Sequence, residues 1–224
     1  MNLREKYFSP SCVPFEIRES NKGFFPQERI MKNIMLVIEY DGTHFFGFQK
    51  QKSGRTVQEE LEGVLEKILR KKVTVYPSGR TDSGVHARGQ VVHFKTDTKI
   101  PLPKLVKAVN TYLPVDIAAK KIKEMPESFH ARFSAKRKIY SYRVLVSETP
   151  RPLERFYVTH YPFRLDVERI RRGAAIFVGK HDFRSFQAGG KDERSSVRTL
   201  YRLDVKWRKP VMTFVFEGDG FLYN

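Results

Sequence analysis

The chain has 224 residues, 40% of them hydrophobic, enough for one large or two small globular units with their own cores; no apolar run approaches the roughly 18 residues of a membrane-spanning helix. Lys and Arg number 42 against 25 Asp and Glu, a net charge of +17 with a pI near 10.0, which points to a polyanion such as nucleic acid as partner. A membrane surface fits less well, because no segment is a clean basic amphipathic helix, and the lone cysteine, Cys12, excludes an intrachain disulfide and suits a reducing, cytoplasmic setting.

Residues 1–32 show neither the period of a strand nor that of a helix. They carry Pro10, Pro14 and Pro26 and lack the apolar stretch of a secretion signal, so a poorly ordered extension is expected. Ile34 to Tyr40 predicts a buried strand ended by Asp41-Gly42, followed by a loop rich in Phe, Gln and Gly from Thr43 to Arg55. Thr56 and Glu59 form a capping box for a helix whose Val57, Leu61, Val64, Leu65, Ile68 and Leu69 share one face, with Lys71 and Lys72 at its end. Val73 to Tyr76 reads as a strand, Ser78 to Arg88 as a glycine-rich polar turn, and Gln90 to Lys95 as a second strand. Pro101 opens a helix carrying Leu102, Leu105, Val106 and Val109, which Pro114 closes.

Ile117 to Ile122 and the longer Lys138 to Val146 read as further strands. Asp166 caps a helix with Val167, Ile170, Ala174, Phe177 and Val178 on one face, and Gly179 stops it. A polar, mobile loop is expected over Gly189 to Ser196, then strands over Val197 to Trp207 and Met212 to Glu217, joined at Lys209-Pro210. This order predicts an α+β protein of two units, residues 33–128 and 129–224.

The densest polar cluster is Ser78-Gly79-Arg80-Thr81-Asp82-Ser83-Gly84-Val85-His86-Ala87. In an extended segment residues two apart face the same way, so Arg80 and Asp82 project together from a turn between strands. Asp-Ser-Gly is also ordinary turn chemistry. A turn alone does not explain why Arg80, His86 and Arg88 crowd around one carboxylate. Downstream, the segment from Phe129 to Arg143, which includes Arg132 and Tyr140, interleaves five cationic side chains with aromatics. Such a stretch suits phosphates and unstacked bases, although a basic solvent face over core aromatics reads the same way. His86 and His93 lack the companions of a metal site. No phosphate-binding loop or nucleophile elbow is present.

Taken together these segments resemble the tRNA pseudouridine synthase A family. The resemblance rests on Val37-Ile38-Glu39-Tyr40-Asp41-Gly42, Phe46-Gly47-Phe48-Gln49, Thr56-Val57-Gln58, Gly79 to Ala87 with Gly89-Gln90-Val91-Val92, Asn110 with Leu113-Pro114, Phe129 to Ala135, Tyr140-Ser141-Tyr142, His181-Asp182-Phe183, Val197-Arg198-Thr199 and Gly220-Phe221-Leu222-Tyr223. It implies the pseudouridine synthase fold, with mainly antiparallel sheets flanked by helices and an active-site cleft between two units. It implies Asp82 as the catalytic carboxylate, Arg80 as an aid to flipping the nucleotide, and Tyr140 as the stacking partner of the flipped base. His86, Arg88 and Arg132 are expected to contact substrate. No cofactor or metal is implied. The implied partner is tRNA, at uridines 38 to 40 of the anticodon stem-loop, and the implied assembly is a homodimer.

One departure stands out. The family continues after Phe-Leu-Tyr-x with Met-Val-Arg, an arginine that pairs with the catalytic aspartate, whereas this sequence stops at Asn224. A truncated chain with weakened catalytic support is therefore expected. The competing reading is an RNA-binding or tRNA-folding module that performs no chemistry.

Overall fold

A computed structural model describes residues 30–187 and 195–222. The expected extension falls outside them except for Ile30, Met31 and Lys32, as does most of the polar loop expected over Gly189 to Ser196. Met31–Asn224 forms one compact unit. Its first sheet runs β2-β3-β1-β4, all antiparallel, from β1 (Lys32–Tyr40), β2 (Tyr76–Pro77), β3 (Ala87–Thr96) and β4 (Ile117–Met125). The second runs β6-β5-β9-β8-β7, from β5 (Lys138–Val146), β6 (Thr159–Tyr161), β7 (Gly179–Asp182), β8 (Val197–Arg208) and β9 (Val211–Gly218). It is antiparallel except where β6 joins β5. Helices α1 (Val57–Leu69), α2 (Leu102–Tyr112) and α3 (Val167–Ile176) flank the sheets. The protein is α+β with mainly antiparallel sheets, as its sequence indicates.

Period 2 builds the core. Ile34, Leu36, Ile38 and Tyr40 point one way from β1 and are buried with Val92 and Phe94 of β3. Onto that face α1 brings Val57, Leu61, Val64 and Leu65, and α2 brings Leu105 and Val109. Each such side chain removed from water contributes about 1.5–3 kcal/mol. Thr56 caps α1 by accepting from the Glu59 amide at 3.3 Å. Only half of the capping box is made, because the Glu59 carboxylate reaches toward Lys50 instead, at 3.9 Å.

Two differences from the sequence pattern have clear causes. Val73 to Val75 is not a strand. Gln58 Nε2 donates to the Val75 carbonyl at 3.1 Å and the Val75 amide donates to Glu62 at 3.0 Å, so α1 side chains take the place of a neighbouring strand. In β4 the register shifts opposite Val37 and Ile38, and Asn110 at the end of α2 fills the gap. Its amide donates to the Ala119 carbonyl at 2.8 Å and its oxygen accepts from the Ala119 amide at 2.7 Å.

The turn at residues 129–134 is fastened to the first sheet. Asn33 Nδ2 donates to the Phe129 carbonyl at 2.7 Å, and the Ala131 amide donates to His93 Nδ1 at 3.2 Å. The buried His93 ring stacks on Tyr76 at 5.1 Å and meets His130 edge-on at 4.5 Å. Burial, together with the neighbouring His130, pushes the pKa of His93 down. In the second sheet α3 lies over β8 and β9, beside an apolar cleft of about 550 Å³ lined by residues that include Phe177, Phe214, Phe216 and Phe221.

Leu36→Ala is expected to cost about 2–5 kcal/mol in urea denaturation, since its site is closed by both helices. The His93 shift has a definite sign. The unfolded imidazole takes its proton before the folded one, so stability is full above about pH 6.5 and declines as pH falls below that value. Melting temperatures measured between pH 7.5 and 5.5 should therefore drop for the wild-type chain, and drop less for His93→Gln.

Candidate active site

The polar loop of residues 78–88 links β2 to β3, and both of its ends are tied down. The Ser78 amide donates to the Val91 carbonyl at 2.8 Å, and the Ser78 hydroxyl donates to Gln90 Oε1 at 2.6 Å. Gln90 Nε2 in turn donates to the Gly79 carbonyl. Further along, the Tyr40 hydroxyl bonds the Thr81 hydroxyl at 2.7 Å. Burial pushes the Tyr40 phenol up to about 12, so it stays protonated at any working pH.

Residues 42–48 form the floor of the loop. The Phe48 amide donates to the Thr81 carbonyl at 2.9 Å, and the Gly84 amide and Ser83 hydroxyl both donate to the Phe45 carbonyl at 3.2 Å. Here main chain touches main chain. A Cβ on Gly42 would stand 2.1 Å from the Val85 oxygen. At Gly47, where φ is +90°, it would stand 2.8 Å from the Thr81 oxygen. That is why Asp41-Gly42 and Phe46-Gly47-Phe48 carry glycine at these points. With the Thr81 and Ser83 hydroxyls bonded inward, Arg80 and Asp82 stand exposed between and beside them. Neither makes a side-chain hydrogen bond or ion pair among the described residues.

β5 lies against the loop. The phenol of Tyr140 is pushed up by burial and by the negative charge of Asp82 beside it, and its ring meets Phe221 edge-on at 4.8 Å. Two residues earlier on the same strand face, Lys138 Nζ reaches the backbone at Gly79. Asp82 is thus within electrostatic reach of Tyr140, with Arg80 on the same loop.

Of the other three residues singled out from sequence, His86 lies further along the same loop, Arg88 where that loop runs into β3, and Arg132 on the turn after β4. His86 uses both ring nitrogens within the fold: Nδ1 accepts from the Gly42 amide at 3.0 Å, and Nε2 bonds the Phe156 carbonyl at 2.8 Å. Its ring stacks on Tyr157 at 4.9 Å, and the Tyr157 hydroxyl donates to Asp41. Burial works against the Asp41 carboxylate. Hydrogen bonds from Thr43 and Tyr157, with His86 alongside, nevertheless hold its pKa down at about 2. Arg88 is exposed on β3, near the Glu39–Lys120 pair. Arg132 is exposed on the 129–134 turn, 5.8 Å from the centre of the Phe133 ring and close to Lys138. Among the described residues no three His, Cys, Asp or Glu side chains gather as a metal requires.

Sequence reasoning missed Gln90, Thr81 and Lys138. For Lys138 a signal existed, because it shares strand parity with Tyr140. Gln90 reads from sequence as one more strand residue, and only the fold shows its amide holding the loop.

Comparison with known proteins agrees with this geometry. A family model described as tRNA pseudouridine synthase matches residues 36–134 and 174–224, which include the Asp82 loop and Phe221, with β5 lying between the two stretches. The protein named tRNA pseudouridine synthase A from Thermoanaerobacter sp. (strain X514) is 43% identical over 194 residues, covering 87% of this chain and 80% of that protein. Its namesake from Geobacillus sp. (strain WCH70) is 46% identical over 194 residues, covering 86% and 78%. The one from Clostridium kluyveri is 44% identical over 194 residues, covering 87% and 80%. With matches of this identity and extent, the chain belongs to the tRNA pseudouridine synthase family.

Proposed function

We propose that this chain, an isomerase of uridine to pseudouridine in tRNA, acts on the anticodon stem-loop at positions 38 to 40, with Asp82 as its catalytic carboxylate. The observation that carries the assignment is an Asp82 carboxylate with no side-chain partner among the described residues, near enough to Tyr140 for its charge to raise that phenol's pKa, on a loop whose main chain is fixed from beneath. A uridine in a stacked loop is out of reach of any carboxylate and has to be turned out first. Tyr140 offers the everted base a face, and Arg80 offers a cation to the strand it leaves. The first half of the chain, residues 33–128, then supplies the reacting group, and the second, 129–224, supplies the platform. His86 supports the loop through Gly42 and Phe156, and Arg88 and Arg132 contact the flanking RNA backbone.

The reaction needs no oxidant and no energy input. The N1–C1′ bond breaks, the uracil turns, C5 joins C1′, the C5 proton leaves to water and N1 regains one. Asp82 begins this either by attacking C1′ or by removing the C2′ proton. With 42 cationic residues against 25 acidic ones, the surface attracts the phosphates of the stem. A homodimer in a reducing, cytoplasmic compartment completes the reading, the single cysteine being in keeping with it. A silent RNA-binding module has less support, since each relative described above is named for the reaction.

Tritium release from tRNA carrying C5-labelled uridine tests the assignment. Asp82→Asn is expected to lower release by a factor on the order of 10²–10⁴ while tRNA affinity changes little. Loss of binding and release together would assign Asp82 a structural role instead. Tyr140→Phe should keep most of the single-turnover rate, and Tyr140→Ala should lose about 1–3 kcal/mol of stacking, read as weaker capture of the uridine. Equal rates for the two variants would remove Tyr140 from the site.

A further inference from the structure

Lys138 opens β5 directly beside the catalytic loop, with its Nζ 3.3 Å from the position a Cβ would take on Gly79. It stands two residues from Tyr140 on one strand face, about 7 Å at about 3.4 Å per residue. In the sheet, both Lys138 and Leu200 are opposite Gly218. This places Arg198, two residues before Leu200, at the same end, with its Nε 3.2 Å from where a Cβ on Gly220 would lie. Arg132, on the 129–134 turn, is near enough for its charge to bear on Lys138.

Burial depresses the pKa of the Lys138 amine, and the guanidiniums of Arg132 and Arg198 push it the same way. Several neighbouring cations of the sheet are paired. One position before Lys138, Arg137 pairs with Glu217 at 2.8 Å, and Arg202 shares that carboxylate at 3.3 Å. Arg143 reaches Glu154 at 3.6 Å. Lys138, Arg132 and Arg198 have no such partner among the described residues. Arg198 donates to the main-chain carbonyls of Ser195 and Val197. Cations gathered without an ion pair among the described residues repel one another, and an anion placed among them relieves that repulsion.

We propose that Lys138, Arg198 and Arg132 form a cradle for one RNA backbone phosphate, the one next to the uridine that Tyr140 and Asp82 receive. The cradle rests on the reading of that pair as the uridine site. It adds a grip on the strand itself, at about the reach of one nucleotide from the platform. By holding this phosphate the cradle keeps the emptied strand in place while the base is out.

Binding of the full chain to a synthetic anticodon stem-loop RNA tests this, with the phosphate 5′ or 3′ of the target uridine replaced in turn by an uncharged methylphosphonate. One replacement is expected to weaken wild-type binding about three- to tenfold and to lower the slope of log affinity against log salt by about 0.7–0.9. The same replacement should have no further effect on Lys138→Gln or Arg198→Gln, whereas Lys138→Arg should behave as wild type. Independent, multiplying effects of the protein and RNA changes would overturn the cradle. So would wild-type affinity and slope in both Gln variants. Thermal melting of each variant identifies any that misfolds, and the remaining variants still decide. Pseudouridine formation by the wild-type chain is scored alongside: its absence would count against the uridine reading, while the binding cycle reports on the phosphate alone.

Discussion

Main chain resting on main chain, where residues 42–48 lie under the loop of residues 78–88, is the constraint from which the site follows. The Phe48 amide holds the Thr81 carbonyl, the Phe45 carbonyl takes the Gly84 amide, and two glycines clear the space between. A loop fixed through its backbone leaves its side chains free for other uses. Arg80 and Asp82 need make no bond of their own to hold the turn, and among the described residues both are presented unpaired. Such preorganisation removes much of the entropic cost of aligning a reacting group.

Electrostatics divides the surroundings of this loop into two kinds. Structural charges are compensated: Arg55 is held by Asp116 and Glu60, and Asp41 by Thr43 and Tyr157. The charges facing the open side, Arg80, Asp82, Lys138 and Arg132, lack such partners among the described residues. Charges left without partners among the described residues beside one well-supported loop are in keeping with a charged substrate that arrives from outside. The Tyr40 phenol, protonated throughout the working range, keeps the Thr81 hydroxyl anchored whatever the protonation of its neighbours.

Much of this was legible in the sequence. The period-2 pattern of β1, the Thr56 cap of α1 and the Asp166 cap of α3 are local signals, and each appears where the sequence places it. The exposure of both Arg80 and Asp82 on a glycine-flanked turn is in keeping with the sequence pattern. What escaped depends on distant partners. β6 and β7 are three and four residues long, and they exist because β5 and β8 offer them edges. Val73 to Val75 has strand composition, but the side chains of Gln58 and Glu62 claim its backbone first. His86 has the look of a site residue in the sequence because it neighbours the carboxylate. Only the fold reveals that Gly42 and Phe156 occupy its two nitrogens.

The clasp formed by His86, Asp41 and Tyr157 also orders events during synthesis. His86 reaches a carbonyl 70 residues downstream, and Asp41 a hydroxyl 116 residues downstream. A ribosome delivers residues one at a time, at about 5–20 per second, so the segment around Phe156 and Tyr157 emerges several seconds after the loop it is to brace. During that interval the first sheet can close on its helices, whereas the loop has its floor but not its clasp. The nascent chain therefore acquires its core first, and the loop that carries Asp82 is braced only once the second half has come out to meet it.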